Sequence, residues 1–185
     1  MRGPAGRPRR GGDVIRIPAG ASEEARQWAA AQAIGARLKP DLLRRLGLDP
    51  AAQLGLTAAS FAGLIAQRLL TPTAWFAADA RAAGGDVAEL SRLYATAGME
   101  RIAWRLLDLP APCIITVVDN DHVHRRRSNA WPVRKVLTPP EEECQRYVNH
   151  YSRPRVVRAN GWTVQGWPIH QADWKREILR SVVDE

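Results

Sequence analysis

The side chains best suited to chemistry lie late in this chain. All four histidines, His122, His124, His150 and His170, follow residue 120. His122 and His124 are two apart. On a strand such a pair points to one face and could chelate a metal ion, with Asp119 and Asp121 close by in sequence. His150, His170 and Cys144 could complete a ligand set, but nothing in their spacing brings them together. Arg125-Arg126-Arg127 would repel a cation beside that pair, which favours a solvated hairpin tip over a metal site. Ser60, Ser91 and Ser128 lack the context of an activated nucleophile, and no glycine-rich phosphate loop is present. Cys113 and Cys144 read as reduced, buried thiols.

The elements that must position these groups sit in a chain of 185 residues with 45% hydrophobic and 25% charged residues, a normal globular balance with room for one real core. No apolar run approaches the roughly 18 residues needed to cross a bilayer. The arginines at the start have no apolar segment behind them, so no signal peptide is expected and the protein is placed in the cytoplasm. The formal charge of +8 comes half from Arg2, Arg7, Arg9 and Arg10. A pI near 10.4 raises nucleic acid as a ligand, though a basic tail on a mildly basic domain explains the same number.

Residues 1–13 combine glycine, proline and arginine without periodicity and read as a disordered tail. Val14-Ile15-Arg16-Ile17, ending at Pro18, reads as a short edge strand. Ser22 N-caps a helix to Leu38, with Glu23 and Glu24 in its first turn. Trp28, Ala31, Gln32 and Gly35 share one face, and Gly35 implies a close neighbour, since mid-helix glycine costs about 1 kcal/mol relative to alanine. Pro40 is expected to restart the chain into a short piece carrying Leu42, Leu43 and Leu46. Thr57 caps a second helix to Leu70 with the stripe Phe61, Leu64, Ile65, Leu69. Pro72 opens a third, stopped at Gly84-Gly85.

Asp86 caps Val87–Ala95, and the stripe Met99, Ile102, Ala103, Leu106, Leu107 follows the turn Thr96-Ala97-Gly98, a pair resembling a helix-turn-helix. After Pro110 the composition turns to strands. Cys113–Val118 is β-branched, and His122–His124 pairs back across Asp119-Asn120-Asp121. Thr138-Pro139-Pro140-Glu141 has capping-box spacing before a helix with Cys144, Tyr147, Val148 and Tyr151 on one face. Val156-Val157 and Trp162–Val164 read as strands around Asn160-Gly161. Asp173–Val182 reads as a final amphipathic helix. Trp131, Trp162, Trp167 and Trp174 are expected to fill a thin core. The expected class is α+β: a basic tail over 1–13, a helical domain over 14–109 and a strand-containing extension over 110–185.

The order of a strand, an alanine-rich helix, a second helix ending Leu69-Leu70-Thr71-Pro72, and then a helix pair resembles the ImmA/IrrE family of metallopeptidase-like proteins. The residues that carry it are Arg26–Leu38, Ala62–Pro72 and Val87–Leu107. Members of that family carry His-Glu-x-x-His on the first helix and a glutamate ligand on the second. Two histidines at i and i+4 share a helix face and reach one zinc ion, whose bound water becomes a nucleophile near neutral pH. The resemblance places the histidine positions on Gln32 and Ala36, the catalytic glutamate on Ala33 and the third ligand on Phe61. None of these side chains supports zinc chemistry. The resemblance therefore implies a vestigial site, no cofactor, and regulation through a protein partner such as a transcriptional repressor. The alternative is a DNA-binding regulator that reads through Glu100, Arg101 and Arg105 of the helix pair, aided by Arg125–Arg127.

Overall fold

The computed structural model describes residues 20–49 and 58–184. The expected tail, the strand at 14–17 and the Thr57 cap lie outside the described residues. The class is α+β, with six helices followed by, and partly interleaved with, a five-stranded antiparallel sheet among the described residues.

Helix α1 spans Glu23–Arg45. Its start is the one the local chemistry dictates: Ser22 Oγ accepts from the Ala25 amide at 3.2 Å, with Glu23 and Glu24 in the first turn. The expected break at Pro40 does not occur, and α1 runs through it. Pro40 and Ala36, whose carbonyl loses its i+4 donor there, are both exposed. Water can take that carbonyl, so the proline is tolerated without ending the helix.

Helix α2 (Ala58–Leu70) packs against α1. Gly35 explains the closeness. A Cβ placed there would lie 2.8 Å from the Ala62 carbonyl oxygen and 3.0 Å from Ile65 Cβ. Helix α3 (Thr73–Ala82) ends at Gly84-Gly85. Asp86 then caps α4 (Val87–Leu93) by accepting from the Glu89 amide at 2.9 Å, and α5 (Met99–Leu106) follows.

Strands β1 (Ile114–Asp119) and β2 (His122–Ser128) form a hairpin. Helix α6 (Pro139–Tyr151) starts on the expected capping box between Thr138 and Glu141. Strands β3 (Arg155–Ala159), β4 (Trp162–Gln171) and β5 (Trp174–Val183) complete the sheet in the order β2-β1-β5-β4-β3. The segment expected as a last helix, Asp173–Val182, is instead the central strand β5. It pairs with β1 on one side and β4 on the other, so its backbone groups are consumed by two ladders. Pro168 sits within β4 beyond the end of the β3 ladder, where that side of the strand is an edge and a missing amide is tolerated.

Both faces of the sheet are covered. Ile115, Trp167 and Ile178 pack with Phe76, Val87, Leu90, Ile102 and Leu106 of the helices. On the other face Val118, Val164 and Leu179 pack with Cys144 and Val148 of α6. Trp167 is core, as expected, whereas Trp131 is exposed and meets Trp162 edge-on with ring centroids 6.0 Å apart.

Candidate functional site

The positions that the resemblance singles out lie on α1 and α2. Gln32 and Trp28 lie over α2 at Gly63: a Cβ on that glycine would stand 3.9 Å from both Gln32 Nε2 and Trp28 Cζ2. Ala33 and Phe61 are half-buried, and Ala36 is exposed. The zinc ion that the family resemblance implies does not fit this donor set. Gln32 is the sole polar side chain of the four, and amides bind zinc poorly compared with imidazole or carboxylate. Among the described residues no three histidine, cysteine or acidic side chains group closely enough to hold a metal.

The hairpin pair is also separated by the backbone. The β1–β2 register shifts between Val117 and Val118, so that Val118 faces Val123 and Val117 faces Arg125. His124 is the residue skipped by the pairing, and a bulge there upsets the alternation that would align it with His122. His122 Nδ1 is 2.7 Å from the Asn120 carbonyl, and His124 Nδ1 is 3.8 Å from Asp119. Asp119 is instead held by Arg176, at 2.6 and 2.7 Å, and this ion pair keeps its carboxyl below the usual aspartate range. His150 meets the Tyr151 ring edge-on, and Cys144 is buried beneath the sheet, where burial raises its thiol pKa to about 12.

Helix α5 turns its charged groups inward, while Glu89 and Arg92 of α4 are exposed. Arg105 is fully buried and donates to Thr73 Oγ1 at 2.7 Å and Asp108 at 2.7 Å. Glu100 accepts from Trp104 Nε1 at 3.0 Å and pairs with Arg176. Arg101 lies over the Trp28 ring, 4.1 Å from its centroid. The three side chains expected to face DNA are thus engaged within the protein, while Arg125 and Arg127 on β2 are exposed.

One polar constellation escaped the sequence reading. Ser152 Oγ is 2.8 Å from His170 Nδ1, and His170 Nε2 is 2.8 Å from Glu177 Oε1. Glu177 is fully buried and also accepts from Asn149 at 3.1 Å. The composition is that of a serine–histidine–acid array. Its setting opposes acyl chemistry, however. Ser152 is the C-cap of α6, where free carbonyls give a negative potential, and its own amide is already donated to Val148. The array solvates a buried carboxylate. No signal in the sequence joins residues 152, 170 and 177, which come from a helix end and two strands.

No family model matches this chain, and no curated protein matches it. Among solved structures, a Mycobacterium tuberculosis transcriptional regulator is similar in fold, with a TM-score of 0.60 at 18% identity over 89% of this chain. The chain spans 57% of the length of that regulator.

Proposed function

We propose that this chain is a non-catalytic regulatory module on an ImmA/IrrE-like frame, acting by recognising a protein partner of the transcriptional-repressor class. One observation carries the reading: α1 and α2 keep a glycine-mediated helix contact while the family's ligand positions hold Gln32, Ala33, Ala36 and Phe61. The same helix pair exposes Ile34, Leu38, Leu64 and Leu69, apolar side chains it can offer to a partner. The fold of a protein named as a transcriptional regulator agrees with a role in controlling transcription.

Two measurements test this. Metal analysis of the purified protein is expected to find no stoichiometric zinc, and one zinc per chain would rule out the non-catalytic reading. Transcript levels in a host lacking the chain are expected to change, and to be restored both by the wild-type chain and by a variant with all four histidines replaced by alanine. Unchanged transcripts would end the regulatory reading.

A second reading, direct contact with DNA, is favoured by the exposed Arg125 and Arg127 on the edge strand β2. It predicts salt-dependent binding that weakens when both are replaced by alanine and survives removal of residues 1–12. Binding lost with those first residues alone would refute it.

A further inference from the structure

A cleft of about 420 Å³ opens between α3, the Gly84-Gly85 turn, the end of α5 and the sheet. This volume is within the roughly 300–1,000 Å³ usual for small-molecule sites. Its walls are mainly apolar and include Ala77, Ala80, Leu106, Leu109 and Pro110, with Cys113 and Arg180 at the sheet side.

Arg180 is unlike the other arginines drawn into this fold. Arg105 meets Asp108, Arg126 meets Glu141, and Arg176 meets Asp119 and Glu100. Arg180 makes no ion pair among the described residues. Its Nη1 donates to two neutral oxygens, the Gly84 carbonyl at 3.0 Å and Gln165 Oε1 at 2.7 Å. Its Nε is buried with no hydrogen-bond partner among the described residues. Arg180 is half-buried, the Cys113 side chain is its neighbour, and Asp86 acts on it only from beyond ion-pair distance. A partly desolvated cation with no carboxylate in direct contact is costly, and arginine does not shed its proton to escape that cost. The turn is built around this group. A Cβ on Gly85 would fall 2.5 Å from the guanidinium carbon, so only glycine leaves the guanidinium its place.

We propose that this cleft binds a small carboxylate with an apolar body, the carboxylate meeting the Arg180 guanidinium and the body lying along Ala80, Leu106 and Pro110. The ligand supplies a carboxylate in direct contact, which Asp86 at longer range does not, and guanidinium donors suit a carboxylate in geometry as well as in sign. The apolar walls reward a hydrocarbon body and offer nothing to a sugar or a nucleotide base. The inference stands on the cleft alone. Failure of ligand binding would leave the regulatory reading intact, and stoichiometric zinc would leave this one intact.

Isothermal titration calorimetry of the full chain with octanoate, and with octanol as the uncharged counterpart, tests the proposal. Octanoate is expected to bind saturably at one site and at least tenfold more tightly than octanol. Arg180→Met should abolish that preference. Ala77→Leu, which narrows the cleft without touching Arg180, should weaken both ligands and serves if the arginine variant does not fold. No saturable octanoate binding, equal affinity for octanoate and octanol, or unchanged octanoate affinity in either folded variant would overturn the proposal.

Discussion

Replacing Glu141 with glutamine tests how α6 is fastened to the sheet. Glu141 is buried and accepts four hydrogen bonds: from Arg126 Nη1 at 2.8 Å, Ser181 Oγ at 2.6 Å, and the Thr138 amide and hydroxyl at 2.8 and 3.0 Å. The Arg126 side chain is itself only 4% exposed. Glu141→Gln keeps the shape but leaves that guanidinium charged, buried and unpaired, and points an amide donor at groups that donate. Breaking a buried pair from one side costs about 3–5 kcal/mol. Stabilities are about 5–15 kcal/mol in all, so this one change removes a large fraction. At about 2–4 °C per kcal/mol for a chain of this size, the melting temperature should fall by on the order of 10–15 °C.

Urea denaturation followed by circular dichroism at pH 7 measures the loss directly. The double variant Arg126→Met, Glu141→Leu removes both charges and should be milder than either single change. Acid adds an independent check. Burial pushes the Glu141 carboxyl up, but the bonds from Arg126, Ser181 and Thr138 outweigh it and leave the carboxyl below the ordinary glutamate range. A depressed folded value means that the stabilisation is complete above the unfolded glutamate pKa of about 4.3 and is lost as pH falls through the folded value. The gap between wild type and Glu141→Gln should therefore be constant near neutrality and close in acid. A loss under about 1 kcal/mol for Glu141→Gln, or a double variant worse than both singles, would refute the reasoning.

Further outcomes follow from the packing. Gly35→Ala forces a methyl against the Ala62 carbonyl and should cost about 1–3 kcal/mol by urea titration, despite the better helix propensity of alanine. Ile178→Ala empties a fully buried site facing the helices and should cost about 2–5 kcal/mol. Cys144, with its thiol raised to about 12 by burial, should react with a disulfide reagent at pH 8 only as fast as the protein opens, and rapid labelling of the folded chain would contradict its placement.

The sequence disclosed those features whose causes are local. Ser22, Asp86 and the Thr138–Glu141 box announce helix starts because a capping side chain acts on an amide three residues away. The β1–β2 and β3–β4 hairpins were legible for the same reason. Strand β5 was not. Glu177, Ile178 and Leu179 are consecutive and all buried, because the sheet is covered on both faces, so the alternation that marks a half-exposed strand is erased. Arg176, Glu177 and Arg180 imitated the polar face of a helix, yet Arg176 meets Asp119, Glu177 accepts from Asn149 and Arg180 donates to the Gly84 carbonyl and Gln165, all distant in sequence. The Arg180 cleft is a tertiary property too: Gly84-Gly85 reads locally as a helix stop, and its second use appears only when β5 brings the guanidinium against it.

The two margins of the sheet have a consequence for how copies of this protein meet. Among the described residues, strands β2 and β3 each leave one row of amides and carbonyls without a ladder, and such rows invite a strand from another molecule. Arg125 and Arg127 line one margin, Arg155 and Arg158 the other. Molecules approaching margin to margin bring guanidinium against guanidinium, so repulsion opposes edge-to-edge pairing in dilute buffer. Concentrated salt or a polyanion would lift that protection, and crowded stocks should keep best at low ionic strength.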